Sequence, residues 1–198
     1  MRPLSCDVGD VCRRAFCGGL AAAILLGTRT AAADEIPAAL QAELITRLAA
    51  YDRNMKARAG QTVNIVIVVK PGDGDSERTA AQLVSAFERI ERVGALPRTV
   101  TTLTYTGAKS LADSCKANHS GVAFITAALG GEVEALRAAF DDADILTIAP
   151  RAAMTRQGIV LGFELLSSRP RLFINLTQAE RQHVSMPAEI LKLMTVFR

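Results

Sequence analysis

Apolar residues change their spacing several times along this chain, and each change marks an element. Between Ile36 and Gly60, the residues Leu40, Leu44, Leu48, Tyr51 and Met55 fall on one helical stripe, and Gly60 suits the cap that ends such a helix. The run TVNIVIVVK, Thr62 to Lys70, then loses all periodicity. A nearly unbroken β-branched stretch marks a strand covered on both faces. Ser76 is placed to cap a second helix whose Leu83, Val84, Phe87 and Ile90 face inward. The Thr-rich RTVTTLTYTG, Arg98 to Gly107, reads as a strand nearer the sheet edge. A short helix over AKSLADSCKANH and an apolar strand in GVAFITAAL follow. Gly130-Gly131 opens a helix carrying Val133, Leu136 and Phe140, and the strand DILTIAP is stopped by Pro150. Crossovers of that length between strands require a parallel sheet.

The last third breaks the alternation. In GIVLGFELL, which starts at Gly158, the residues Ile159, Leu161, Phe163 and Leu165 share one strand face; in RLFINL, Leu172, Ile174 and Leu176 do. Only Ser167 to Pro170 separates the two, so they return antiparallel, with Pro170 in the turn. Ile190, Leu193, Met194 and Phe197 recur at i, i+3, i+4 and i+7, predicting a helix over Pro187 to Phe197. The expected fold class is α/β. It is a single domain, mainly a parallel sheet of four strands flanked by helices, plus a C-terminal antiparallel hairpin and a final amphipathic helix.

The first 33 residues stand apart from this pattern. Arg13-Arg14 precedes a short apolar run from Gly18 to Gly27, and Ala31 and Ala33 form an A-x-A site before Asp34. That is an export signal, with an apolar run too short for the ~20 residues that span a bilayer. The arginine pair and Arg29 fit a twin-arginine signal, and the general secretory route stays open. The expected organisation is a signal over 1–33 and one α/β domain over 34–198, with a periplasmic location and no direct membrane insertion after the signal is removed. Loss of the signal removes four arginines against two aspartates, so the net charge falls from +3 to +1. It also removes Cys6, Cys12 and Cys17, leaving Cys115 with no intrachain disulfide partner. With so little net charge and no Lys/Arg block, the chain is not a nucleic-acid binder.

The C-terminal third carries a family resemblance. DILTIAP, the Gly-led strand from Gly158, the Phe173-Ile174-Asn175 strand, a short helix over Thr177 to His183 and the Leu-rich end from Pro187 resemble the end of the YfiR family. SCKANHSGVAFIT is similar to the segment where that family often carries Cys-His before an apolar strand. The resemblance implies a periplasmic repressor of a membrane-bound diguanylate cyclase, acting by binding the cyclase's periplasmic sensory domain. Release would raise cyclic di-GMP and promote biofilm. Described members respond to redox state through paired cysteines, and this chain lacks the pair. The expected partners are the periplasmic domain of a membrane sensor or cyclase, and a second copy of the chain. No cofactor, metal or enzymatic activity is expected. The alternative is a small-solute-binding protein that uses its strand ends.

The candidate contact residues lie at those ends and beside the hairpin. KPGDGDS, with Lys70, Asp73 and Ser76, follows the first strand, where open α/β sheets bind ligands. It lacks the spacing of a P-loop, and an ordinary capped turn is its plain reading. Thr126 ends another strand and precedes backbone N–H groups that could hold an anion, or be simply capped. Arg151 and Arg156 bracket a loop before the hairpin, available to an acidic partner or to solvent. Asn175 reads as structural, closing a strand–helix turn through its side chain. Gly158 leads the hairpin, and Cys115 sits four residues after Leu111 as a buried, structural thiol. His119 and His183 have no partner at metal-ligand spacing, and Asp141, Asp142 and Asp144 read as a solvated acidic helix end. No G-x-S-x-G elbow is present.

Overall fold

β1, Val63–Val69, shows why its sequence has no period. Val63, Ile65, Ile67 and Val69 join one apolar cluster, whereas Val66 and Val68 join another on the opposite face. Both faces of the strand are covered by helices, and its one polar residue, the half-buried Asn64, sits near its start. The computed structural model describes residues 36–167 and 169–198, and the expected export signal lies outside these.

Two helices precede β1: α1, Ala38–Tyr51, and α2, Met55–Ala59. They replace the one long helix expected, and the buried stripe of α1 is rotated from the one predicted. Ile45 and Leu48 are buried with Gln41, while Tyr51 is 45% exposed. Half of the buried Gln41 amide is satisfied, its Nε2 donating to the Ile36 carbonyl at 2.7 Å, while its Oε1 has no partner among the described residues. The chain continues through α3 (Gly74–Phe87), β2 (Arg92–Val93), β3 (Leu96–Thr104), α4 (Ala108–Ala117) and β4 (Ser120–Ile125). A 3-10 turn over Ala127–Glu132 leads into α5 (Val133–Ala139), then β5 (Leu146–Ala149), α6 (Ala152–Gln157), β6 (Leu161–Leu166) and β7 (Arg169–Asn175). It closes with α7 (Leu176–Arg181), α8 (Ala188–Leu191) and β8 (Met194–Phe197).

Among the described residues the strands form one eight-stranded sheet in the order β2-β3-β1-β4-β5-β6-β7-β8. From β3 to β6 every neighbouring pair is parallel. The Thr-rich β3 has only the two-residue β2 outside it, which agrees with its wet sequence. β6 and β7 are the expected hairpin, paired from Leu161↔Ile174 to Leu166↔Arg169. Pro170 is in β7 opposite Leu165 rather than in the turn.

The end of the chain differs from the expectation. Instead of one helix over Pro187 to Phe197, the single turn of α8 gives way to β8, which pairs parallel to β7. Met194 turns into the core, and the Phe197 ring stacks on Phe173 at 5.9 Å. Pairing with β8 satisfies backbone groups along the outer edge of β7 that a helix, bonded within itself, would leave open, and this overrides the helical spacing. Ile159 also departs from its expected face: it packs with α4 to α6, while Leu161 and Phe163 pack on the other side.

Two buried polar groups fasten α1 and α2 to the segment after α7. Asp52 accepts from the Ser185 backbone N–H at 2.9 Å and from Arg58 at 2.5 Å. Arg58 in turn reaches the carbonyls of Gln182 and His183 at 3.3 and 3.1 Å. Deeper in, the Thr147 hydroxyl donates to the fully buried Gln182 at 3.0 Å and accepts from the Val160 N–H at 3.1 Å.

Candidate functional site

The strand order reverses direction between β1 and β4, since β1 leads outward to β3 and the chain then returns to the other side of β1. Such a switch point is the usual ligand crevice of an open α/β sheet. The structure brings four of the candidate residues together there. Ser76 Oγ accepts from the Lys70 N–H at 2.9 Å and lies 2.7 Å from Thr126 Oγ1, which donates to the Val68 carbonyl at 2.8 Å. Asp73, rather than Ser76, caps α3, its carboxylate taking the Ser76 N–H at 2.8 Å. Both hydroxyls are buried and bonded to protein groups, so they tie the two strand ends to each other. Lys70 projects into solvent beside them.

Arg151 and Arg156 are not in a loop. They are the N-cap and the last turn of α6, a helix missing from the expectation. A side chain from the hairpin starts this helix: Glu164 Oε1 accepts the Ala152 N–H at 2.6 Å. Gly158, with φ of +136°, ends it. That conformation strains any L side chain, and a Cβ here would lie 2.3 Å from Arg137 Cδ. Gly158 therefore lets the stem of Arg137 pass across the helix end.

Asn175 stands where α6, β7 and α7 meet. Its Oδ1 accepts the Gln178 N–H at 3.0 Å, capping α7, and its Nδ2 donates to the Thr155 carbonyl at 3.0 Å. Gln178 Nε2 continues to the Arg137 carbonyl at 3.4 Å. This frame floors an open cleft of about 500 Å³. Arg137 from α5, Arg156 from α6, Arg181 from α7 and Arg198 line it, with Glu134 the only acidic side chain. Arg156 lies over the Phe197 ring at 4.9 Å. Arg137, Arg181 and Arg198 carry no sequence signal that could have joined them, because they come from separate elements and meet only through the course of the chain.

The remaining candidates are placed singly. Cys115 is buried on α4, and burial pushes its thiol up to about 11, with the Ser120 hydroxyl pulling weakly the other way. His183 does find partners, across the fold: Asp144 at 2.9 Å and Asp142 at 3.5 Å, both exposed. Among the described residues no cluster has the makings of a metal site, and no helix is long and apolar enough to cross a membrane.

The architecture defines the class: a single doubly wound α/β domain whose C-terminal edge is extended by an antiparallel hairpin and a returning strand. A family model described as DUF4154, YfiR/HmsC-like, matches residues 38–195, and the chain belongs to that family. The resemblance seen in the last third thus extends over nearly all the described residues. Described members of the family are periplasmic regulators. No curated protein matches the chain.

Solved structures share the fold at low identity. One is a conserved domain protein from Vibrio cholerae, with TM-score 0.60 and 14% identity, covering 82% of this chain and 60% of that one. A second, the ABC domain in complex with L-Trp from Streptococcus pneumonia, has TM-score 0.57 and 13% identity, over 82% of this chain and 62% of that one. A third is a substrate binding protein with adhesive properties from Clostridium difficile, in a ligand-free, open structure. It has TM-score 0.53 and 9% identity, over 73% of this chain and 57% of that one. The chain thus spans about three fifths of the length of each.

Proposed function

We propose that this protein is an exported, non-enzymatic regulator that binds the periplasmic domain of a membrane signalling protein and represses it. The partner class that family membership implies is a diguanylate cyclase. The observation that carries this reading is the family match over residues 38–195. The site geometry supports it. The hydroxyls at the switch point are occupied in bonding the strand ends together, whereas Arg151 and Arg156 of α6 are exposed. Arg151 and Arg156 suit an acidic surface, and α6 is held rigid by Glu164 and Gly158.

The test is capture of membrane proteins by the periplasmic form, beginning at Asp34. A sensor or cyclase with a periplasmic domain should be recovered, and deletion of this gene should raise cyclic di-GMP. Arg151→Glu with Arg156→Glu should weaken capture by about tenfold or more. Melting should shift little, since exposed charges contribute ~0–1 kcal/mol. No membrane partner, together with unchanged cyclic di-GMP on deletion, would overturn the reading.

Small-solute binding is the second reading. It is favoured by the switch-point crevice and by fold neighbours that include a substrate binding protein and a domain crystallised with L-Trp. Those neighbours are longer chains, and their identity to this one is low.

A further inference from the structure

The cleft between α5, α6 and α7 gathers more positive charge than it neutralises. Of its four guanidinium groups, only that of Arg181 has an ion pair among the described residues, with Asp141 at 3.3 Å. Arg137, Arg156 and Arg198 have none. The stems are nevertheless held. Arg137 runs across Gly158, the residue whose missing Cβ makes room for it. Arg156 lies over Phe197, itself stacked on Phe173. Guanidinium groups held in this way lose little freedom on binding, and their planar forks match carboxylate and phosphate oxygens. The amides at the floor each commit a donor, Asn175 to Thr155 and Gln178 to Arg137, so the charged donors of the cleft are the arginines, with the exposed Gln157 and Thr177 as neutral donors beside them. On the opposite wall, a Cβ at Gly130 or Gly131 would meet nothing within 4 Å, so that side is open to an occupant. A volume of about 500 Å³ exceeds a single inorganic anion and falls in the range of small-molecule sites.

We propose that this cleft binds a small organic polyanion carrying at least two carboxylate or phosphate groups, which bridge Arg137 and Arg156. The site is separate from partner binding in its test. Arg156 belongs to both surfaces, Arg137 only to the cleft, and Arg151 only to the partner surface.

The experiment is calorimetric titration of the chain from Asp34 with pyrophosphate and, separately, citrate, at fixed ionic strength. One-to-one binding of at least one probe is expected, pyrophosphate alone pointing to a phosphate ligand and citrate alone to a carboxylate ligand. Arg156→Gln and Arg137→Gln should each weaken it by about tenfold or more. Lys109→Gln, which removes the same charge from α4, should not. Arg137→Gln can disturb packing at Gly158, so the exposed Arg156→Gln variant decides, with its melting curve alongside. No binding of either probe at millimolar concentration overturns the proposal, and so does binding that the two arginine variants leave unchanged. Anion binding that survives Arg151→Glu while partner capture is lost would support the cleft independently of the regulator reading.

Discussion

Replacing Asn175 by alanine removes two hydrogen bonds from one buried point. The cap on the Gln178 N–H is lost outright, because no other acceptor stands in its place at the start of α7. Loss of an Asn cap costs ~1 kcal/mol, with a range of about 0.5–2. The second bond, to the Thr155 carbonyl, is worth ~1 kcal/mol, and its loss is softened because that carbonyl also accepts from the Gly158 N–H at 3.2 Å. The sum is ~2 kcal/mol. For a domain of this size that lowers the melting temperature by about 4–8 °C. Asn175→Asp keeps the capping oxygen and loses only the donor to Thr155, so it should fall between wild type and Asn175→Ala. Thermal melts read by circular dichroism, with urea titration for the free energies, make the comparison. If Asn175→Ala melts within ~1 °C of wild type, the frame is not held by this side chain. If it melts normally and loses partner capture, Asn175 belongs to the binding surface instead.

Other sites give sharper contrasts. Asp52→Ala should cost ~3–5 kcal/mol in urea titrations, because it strands the buried Arg58 guanidinium; adding Arg58→Met should recover much of the loss. Cys115 should label slowly with a thiol reagent at pH 8 and quickly in denaturant. Its folded value of about 11 lies above the ordinary thiol value of 9.0, so its contribution to stability is complete below pH ~9 and is lost as pH rises toward 11, which melts at pH 8, 9 and 10 can follow. Gly158→Ala should destabilise by more than ~1 kcal/mol, since a Cβ there meets three Arg137 carbons within 2.9 Å at a φ that L residues avoid.

The central strands were legible in the sequence because each carries its own evidence. The unbroken run of β1 and the apolar β4 need burial on both faces, and nothing else in the fold offers it. The C-terminal edge was legible as far as the short helix after Asn175, expected over Thr177 to His183 and found as α7. Met194-Thr195-Val196-Phe197 is short enough to satisfy both a helical and a strand pattern, and the decision lies in the open edge of β7, which sequence does not display. α6 was missed for a related reason: its six residues hold no apolar stripe, and its start depends on Glu164, a residue of the next strand. At the switch point, Ser76 and Thr126 come together as strand ends do, although Asp73 took the capping role expected of Ser76. Of the cleft's arginines, only Arg156 was singled out in the sequence. Four arginines on separate elements become one surface only when the β6–β7 hairpin returns the chain beside α5.

The bonds that Asp52 and Arg58 make to residues 182–185 span 124 to 133 positions of sequence. They therefore close late. A chain emerging N-terminus first can lay β1 against β3 and β4 while the helices before it still lack this latch. Closing so long a loop is slow and entropically costly, and it becomes favourable only once the sheet holds both ends near each other. The latch thus reports completion: the bonds of Asp52 and Arg58 can form only once the segment after α7 is in place. A chain shortened before Ser185 would lose this latch, and its first helix would be held only by the packing of Ala42, Ile45, Leu48 and Ala49 in the core.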